Sequence, residues 1–91
     1  MQRIPHTVQF KNAILHYDVT GNGEKTLLLF HGFGQNKTSF YELAEVLADR
    51  YTLYIVDLFF HGESEWPYGE QPLEKEFWRE ILEAFFRKHQ I

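Results

Sequence analysis

Thr26-Leu27-Leu28-Leu29-Phe30-His31-Gly32-Phe33-Gly34 is the stretch that decides the fold of this 91-residue chain. A short, uncharged, strongly apolar run leads into a loop punctuated by glycine. The run does not alternate. A strand with one wet face alternates polar and apolar residues, whereas a continuous apolar run belongs to a strand covered on both faces, as in a parallel sheet flanked by helices. A buried helical segment has the same composition, but this run is short and bounded by glycine on both sides.

Downstream of the glycine loop, the spacing predicts a helix over 38–49. Ser39 with Glu42 fits a capping box, and Asn36 and Thr38 are alternative caps. Phe40, Leu43, Ala44 and Leu47 fall at i, i+3, i+4 and i+7 and form one apolar stripe. Tyr51 to Asp57 reads as another mostly apolar strand. Strand 26–31, helix 38–49 and strand 51–57 make a βαβ unit with a right-handed crossover. Upstream, Thr7 to Lys11 alternates as a half-buried strand should, Asn12 suits a turn, and Ala13 to Val19 forms a second strand. So short a connection implies an antiparallel hairpin. Leu58 to Gly69 is irregular, with His61-Gly62 and Trp66-Pro67 as breakers. A last helix is expected from about Pro72 to His89. Pro72 suits its first turn, Glu74 and Glu76 its positive end, and Arg87, Lys88 and His89 its negative end. Leu73, Phe77, Ile81, Leu82 and Phe85 give it a buried stripe that Trp78 and Phe86 widen. The expected fold is a single α/β domain over 1–91, antiparallel at the start and parallel afterwards, with two main helices.

Composition bounds the function. Nine basic against 13 acidic side chains give a net charge of −4, the wrong sign for a general nucleic-acid binder. Residues 63–91 carry 4 basic and 7 acidic side chains, an excess that reads as a solvated helix face. There is no cysteine, so disulfides and thiolate metal sites are excluded, which is compatible with a reducing compartment and says no more about location; the location expected is cytoplasmic. No secretory leader is visible at Met1-Gln2-Arg3-Ile4-Pro5, and no apolar run is long enough to span a bilayer. Aromatic residues make up 18% of the chain, which means an aromatic core or an apolar surface meant to be covered.

Two loops can carry chemistry. His31-Gly32-Phe33-Gly34 follows a buried strand and precedes a helix, the place where open α/β sheets bind ligands. Glycines there let backbone N–H groups face a substrate oxygen, and two such donors form an oxyanion hole. Taken alone, the loop fits an ordinary strand-to-helix turn equally well. The second loop is Asp57-Leu58-Phe59-Phe60-His61-Gly62-Glu63-Ser64. Its Asp and His can bond the loop's own backbone. A Ser–His–Asp triad within one short loop is disfavoured, because working triads converge from separate elements. A metal site from His31, Asp57 and His61 has no ligand spacing to support it. A phosphate loop is disfavoured because Gly32 and Gly34 lack the third Gly or the Gly-Lys-Ser/Thr that follows in such motifs.

Together the two loops resemble the N-terminal part of an α/β-hydrolase-fold protein. The resemblance rests on Leu28-Leu29-Phe30-His31-Gly32-Phe33-Gly34 and on Asp57-Leu58-Phe59-Phe60-His61-Gly62-Glu63-Ser64, one helix apart, and covers essentially the whole chain. In that family the second motif reads Asp-x-x-Gly-x-Gly-x-Ser or Asp-x-x-Gly-His-Gly-x-Ser, and here Phe60 stands at the first Gly. The resemblance implies the N-terminal half of a hydrolase sheet with strand order 1-2-4-3. It implies that the backbone N–H of Phe33 is one oxyanion donor and that its ring faces the substrate pocket. His31, Gly32 and Gly34 would shape that loop, and Asp57, His61 and Gly62 would support the second. No cofactor and no metal are implied. The family's nucleophile sits on a Gly-x-Ser-x-Gly elbow after the next strand. Ser39 lacks both flanking glycines, and Ser64 has Trp66 where the second should be. No triad is therefore expected in this chain.

The expected function is the N-terminal portion of a serine-type, esterase-like hydrolase, not competent alone, acting on a small acyl or ester substrate once a C-terminal half completes it. The family's fifth strand would pair with Thr26–Phe30, so that strand is expected to be an open edge that recruits a second copy or a complementing chain. A non-catalytic self-assembling or partner-binding half-domain is the alternative, and a truncated gene product without independent function is a third reading.

Overall fold

The computed structural model describes residues 3–32, 35–60 and 62–91. Four strands form one mixed sheet: β1 (Ile4–Phe10), β2 (Ala13–Thr20), β3 (Lys25–Phe30) and β4 (Tyr51–Val56), in the order β1-β2-β4-β3. β1 and β2 pair antiparallel, with Phe10 opposite Ala13 and Ile4 opposite Val19. β2 pairs antiparallel with β4 over Tyr17–Thr20. β3 and β4 are parallel over their whole length, Lys25 opposite Tyr51 and Phe30 opposite Val56. Two helices, α1 (Tyr41–Leu47) and α2 (Lys75–His89), flank the sheet. The expected mixed sheet with strand order 1-2-4-3 and two main helices is the one observed.

The sheet is covered on both faces. On β4, Leu53 and Ile55 point to one side and pack with Ala44 and Ala48. Tyr54 and Val56 point to the other and pack with Leu15, Tyr17, Ile81 and Phe85. Leu53, Ile55, Ile81 and Phe85 are at most 1% exposed. Each such side chain contributes roughly 1.5–3 kcal/mol by leaving water. The continuous apolar pattern is satisfied most fully by β4, where Leu53 to Val56 are all buried. On β3, Leu27, Leu28 and Leu29 are half-buried and Phe30 is 39% exposed, because β3 is the sheet edge and has a neighbour on one side only.

Several boundaries differ from expectation. β1 begins at Ile4, not Thr7, and carries Pro5 because an edge strand needs no N–H on its outer side. The Ser39–Glu42 capping box is not formed. The Asn36 side chain accepts from the Thr38 N–H at 3.0 Å and starts a 3₁₀ turn over Lys37–Phe40. That turn winds the chain at 3.0 residues per turn and rotates the following helix face. Leu43 is consequently 46% exposed, and the buried line runs through Ala44 and Ala48. α2 starts at Lys75, not Pro72, with Glu74 as its extended N-cap. Among the described residues, no helix is long and apolar enough to cross a membrane.

Candidate active site

Because β3 and β4 are adjacent and parallel, the loops that follow them leave from the same edge of the sheet. His31 and Asp57 are the first residues past those strands, and both are buried, at 4% and 1% exposed. Phe33, Gly34 and His61, named from the sequence, lie outside the described residues. His31, Gly32, Asp57 and Gly62 can be placed.

His31 joins the two loops. Its Nε2 accepts the Leu58 N–H at 2.9 Å, so Nδ1 carries the proton and donates to the Gly32 carbonyl at 2.9 Å. This assigns the tautomer from the hydrogen-bond pattern. The Gly32 carbonyl also accepts the Gln35 N–H at 3.2 Å, while the Gly32 N–H donates to Gln35 Oε1 at 3.3 Å.

Asp57 gathers the second loop. Its Oδ1 accepts the Lys37 N–H at 2.6 Å, and its Oδ2 accepts the Glu63 N–H at 2.9 Å. Lys37 Nζ lies 3.5 Å from the same Oδ2 and donates to Glu63 Oε1 at 3.0 Å. Burial alone would lower the Lys37 ammonium. The Glu63 hydrogen bond and the charges of Asp18 and Asp57 outweigh it and push it up to about 12. Gly62 has φ +54 and lies against the Asp57 carboxylate. The chain then turns back along β2. Ser64 Oγ accepts the His16 N–H at 2.8 Å and donates to the Asp57 carbonyl at 2.5 Å. Glu65 bridges to Ile14.

These contacts decide what the residues can do. The imidazole of His31, the carboxylate of Asp57 and the hydroxyl of Ser64 each bind backbone amides or carbonyls of the two loops, the 3₁₀ turn or β2. They act as struts. Among the described residues, no three His, Asp or Glu side chains are grouped to hold a metal ion. Lys37 and Ser64 were missed as supports by sequence reasoning. Their partners lie 20 and 48 positions away, and no local pattern signals them. Phe60, at the position where the hydrolase motif has glycine, has φ +71, the left-handed conformation that glycine supplies without strain.

An apolar cavity of about 370 Å³ lies beside the second loop, lined by Leu58, Phe59, Leu73, Lys75 and Trp78. A larger hollow of about 500 Å³, lined by Gly23, Arg50 and Tyr51 among others, lies at the opposite ends of β3 and β4, away from both loops.

Residues 25–90 match a family model described as alpha/beta hydrolase fold. A pimeloyl-[acyl-carrier protein] methyl ester esterase of Stenotrophomonas maltophilia (strain K279a) is 46% identical over 50 residues, 55% of this chain and 19% of that protein. The crystal structure of E-2-(acetamidomethylene)succinate hydrolase superposes with a TM-score of 0.79 at 28% identity, covering 98% of this chain and 32% of that one. Epoxide hydrolase VrEH1 from Vigna radiata gives a TM-score of 0.82 at 20% identity over 98% of this chain and 29% of its own, a likeness of fold. The chain therefore spans about one fifth of the curated relative and under a third of these solved structures.

Proposed function

Because this chain belongs to the alpha/beta hydrolase fold family, we propose that it is one portion of a serine-type, esterase-like acyl hydrolase and supplies part of the oxyanion hole. The observation that carries this reading is the bond from the Leu58 N–H to His31 Nε2, which fastens together the two loops at the carboxyl ends of β3 and β4. The relative that hydrolyses a methyl ester supports an ester as the substrate class. In this reading the Phe33 N–H is one of two donors that meet the carbonyl oxygen as it gains negative charge. The nucleophile comes from outside the 91 residues, since these contain no Gly-x-Ser-x-Gly. Its hydroxyl attacks the ester carbonyl, the alcohol leaves, and water releases the acid from the acyl-enzyme. The chain alone is then inactive. Its lack of cysteine suits a reducing compartment, so the reading takes the cytoplasm as its location, which cell fractionation checks.

Complementation tests the proposal. The purified chain is mixed with a second polypeptide that carries an elbow serine and the rest of a hydrolase sheet, and p-nitrophenyl esters are offered. Hydrolysis by the mixture and none by either piece supports it. An assembled complex that cleaves no acyl substrate refutes it.

A second reading is a partner-binding half-domain, and one feature favours it. β3 is an edge strand whose three leucines are half-buried and whose Phe30 is 39% exposed. Such an edge pairs with another strand. Light scattering after size exclusion separates the readings, because a concentration-independent monomer excludes self-pairing.

A further inference from the structure

The last turn of α2 is seated on the sheet through Tyr17. This side chain is 1% exposed. Its ring meets Phe85 edge-on at 4.9 Å and stacks on His6 at 5.7 Å. Its hydroxyl lies 2.5 Å from His89 Nε2, its one hydrogen-bond partner among the described residues. Burial, then the neighbouring Tyr54, push the Tyr17 phenol up to about 12. The hydroxyl therefore keeps its proton at neutral pH, and because His89 Nε2 is its one hydrogen-bond partner among the described residues, a satisfied phenol hydrogen requires that Nε2 accept it. The His89 ring is half-buried, with Tyr54 at 4.8 Å, Phe85 at 5.1 Å and His6 at 5.7 Å.

A proton arriving at His89 Nε2 reverses this bond. The imidazolium becomes the donor, and the hydrogen of a buried phenol is left with no acceptor among the described residues. An unsatisfied buried hydroxyl costs roughly as much as a lost hydrogen bond. The surrounding charges do not help the cation. β1 presents His6, β2 presents Tyr17, β4 presents Tyr54, and α2 itself contributes Lys88, whose Nζ reaches the Thr7 carbonyl, with Arg87 before it. Among the described residues no carboxylate is ion-paired with His89. The negative end of α2 favours a cation, but the Phe86 and Arg87 carbonyls are already bonded to the N–H groups of Gln90 and Ile91. Burial, then His6 and Lys88, hold the His89 imidazole below its usual value of 6.5.

We propose that His89, set against Tyr17 and His6, is a proton-operated latch that holds the last turn of α2 on the β1–β2 hairpin when neutral and releases it on acidification. The latch is independent of the hydrolase reading, since it uses no residue of the two loops.

Hydrogen exchange on the full chain tests it between pH 7.5 and 5.0, expressed as protection factors. The expected result is a roughly tenfold or greater loss of protection in the last turn of α2, before any loss in β2 and β4. His89→Gln, which offers Tyr17 an acceptor that does not titrate, should abolish that loss. Carbon and nitrogen shifts of the wild-type imidazole give a readout that does not depend on any variant folding. His89 should titrate below 6.5 in step with the release. The proposal is overturned if protection of that turn is unchanged over this range, if sheet and helix lose protection together, or if His89→Gln is as pH-sensitive as the wild type.

Discussion

The Asp57 carboxylate occupies the space that a side chain on Gly62 would need. A Cβ built on Gly62 lies 2.3 Å from Asp57 Cγ, and the residue sits at φ +54. The two positions are therefore mutually dependent: the carboxylate can reach the N–H groups of Lys37 and Glu63 only while residue 62 has no side chain.

Gly62→Ala should accordingly be severe. The left-handed backbone costs an alanine about 1–2 kcal/mol, and displacing the buried carboxylate from its donors adds a further 1–3 kcal/mol or so. A total loss of roughly 2–5 kcal/mol is expected from urea unfolding. A loss below about 1 kcal/mol would show that the loop relaxes freely and that the contact does not constrain it.

Phe60 makes the opposite prediction. Its φ of +71 is unfavourable for a bulky residue, and its side chain is 60% exposed, touching Trp66 at a ring distance of 5.6 Å. Phe60→Gly removes strain worth about 1–2 kcal/mol and gives back roughly 0.5–1 kcal/mol in unfolded-state entropy. A small gain, near 0.5 kcal/mol, should appear as a higher urea midpoint at unchanged slope. A clear destabilisation would mean that the Trp66 contact outweighs the strain.

Alkaline pH should weaken the fold through Lys37 and Tyr17. Both are raised to about 12, from 10.5 and 10.0. A raised value means that the native state holds its proton more tightly, so the contribution is complete below the ordinary value and is lost as pH climbs towards 12. Urea midpoints should be level from pH 8 to 10 and fall between 10 and 12. Lys37→Met should be less stable at neutral pH and show a shallower alkaline fall. A flat wild-type profile to pH 12 would refute the assignment.

The His31 tautomer is directly observable. Nitrogen shifts of the imidazole should show a proton on Nδ1 and none on Nε2. In His31→Phe the Leu58 N–H loses its imidazole acceptor, a change worth roughly 1–3 kcal/mol, and that amide should exchange at least tenfold faster. A proton found on Nε2, or a Leu58 amide indifferent to the substitution, would remove the link between the loops.

The sheet was legible because its signals are local. The apolar runs at Leu27–Leu29 and Leu53–Val56, one helix apart, are enough for a parallel pair, and the alternating residues before Asn12 are enough for a hairpin. The apolar and charged pattern of α2 placed that helix to within three residues of its start. What stayed hidden depends on distant partners. Nothing near Lys37 says that its ammonium is buried against Asp57 and Glu63. Nothing near Ser64 says that its hydroxyl bridges the Asp57 carbonyl and the His16 amide. The choice of Asn36 over Ser39 as cap follows from a 3₁₀ turn that side-chain periodicity does not encode. At the candidate site, the sequence indicated both loops and the bonding of Asp57 to the second loop's own backbone, but not that the His31 imidazole is taken up by the Leu58 N–H and the Gly32 carbonyl.

The aromatic side of the hairpin is covered by Ile81 and Phe85, which are synthesised long after it. Phe85 follows Tyr17 by 68 positions, so at typical elongation speeds of 5–20 residues per second the wait on the ribosome is roughly 3–14 s. During that interval Val8, Leu15 and Tyr17 wait without the helix that covers them, so α2 is the last piece to seal this side of the sheet.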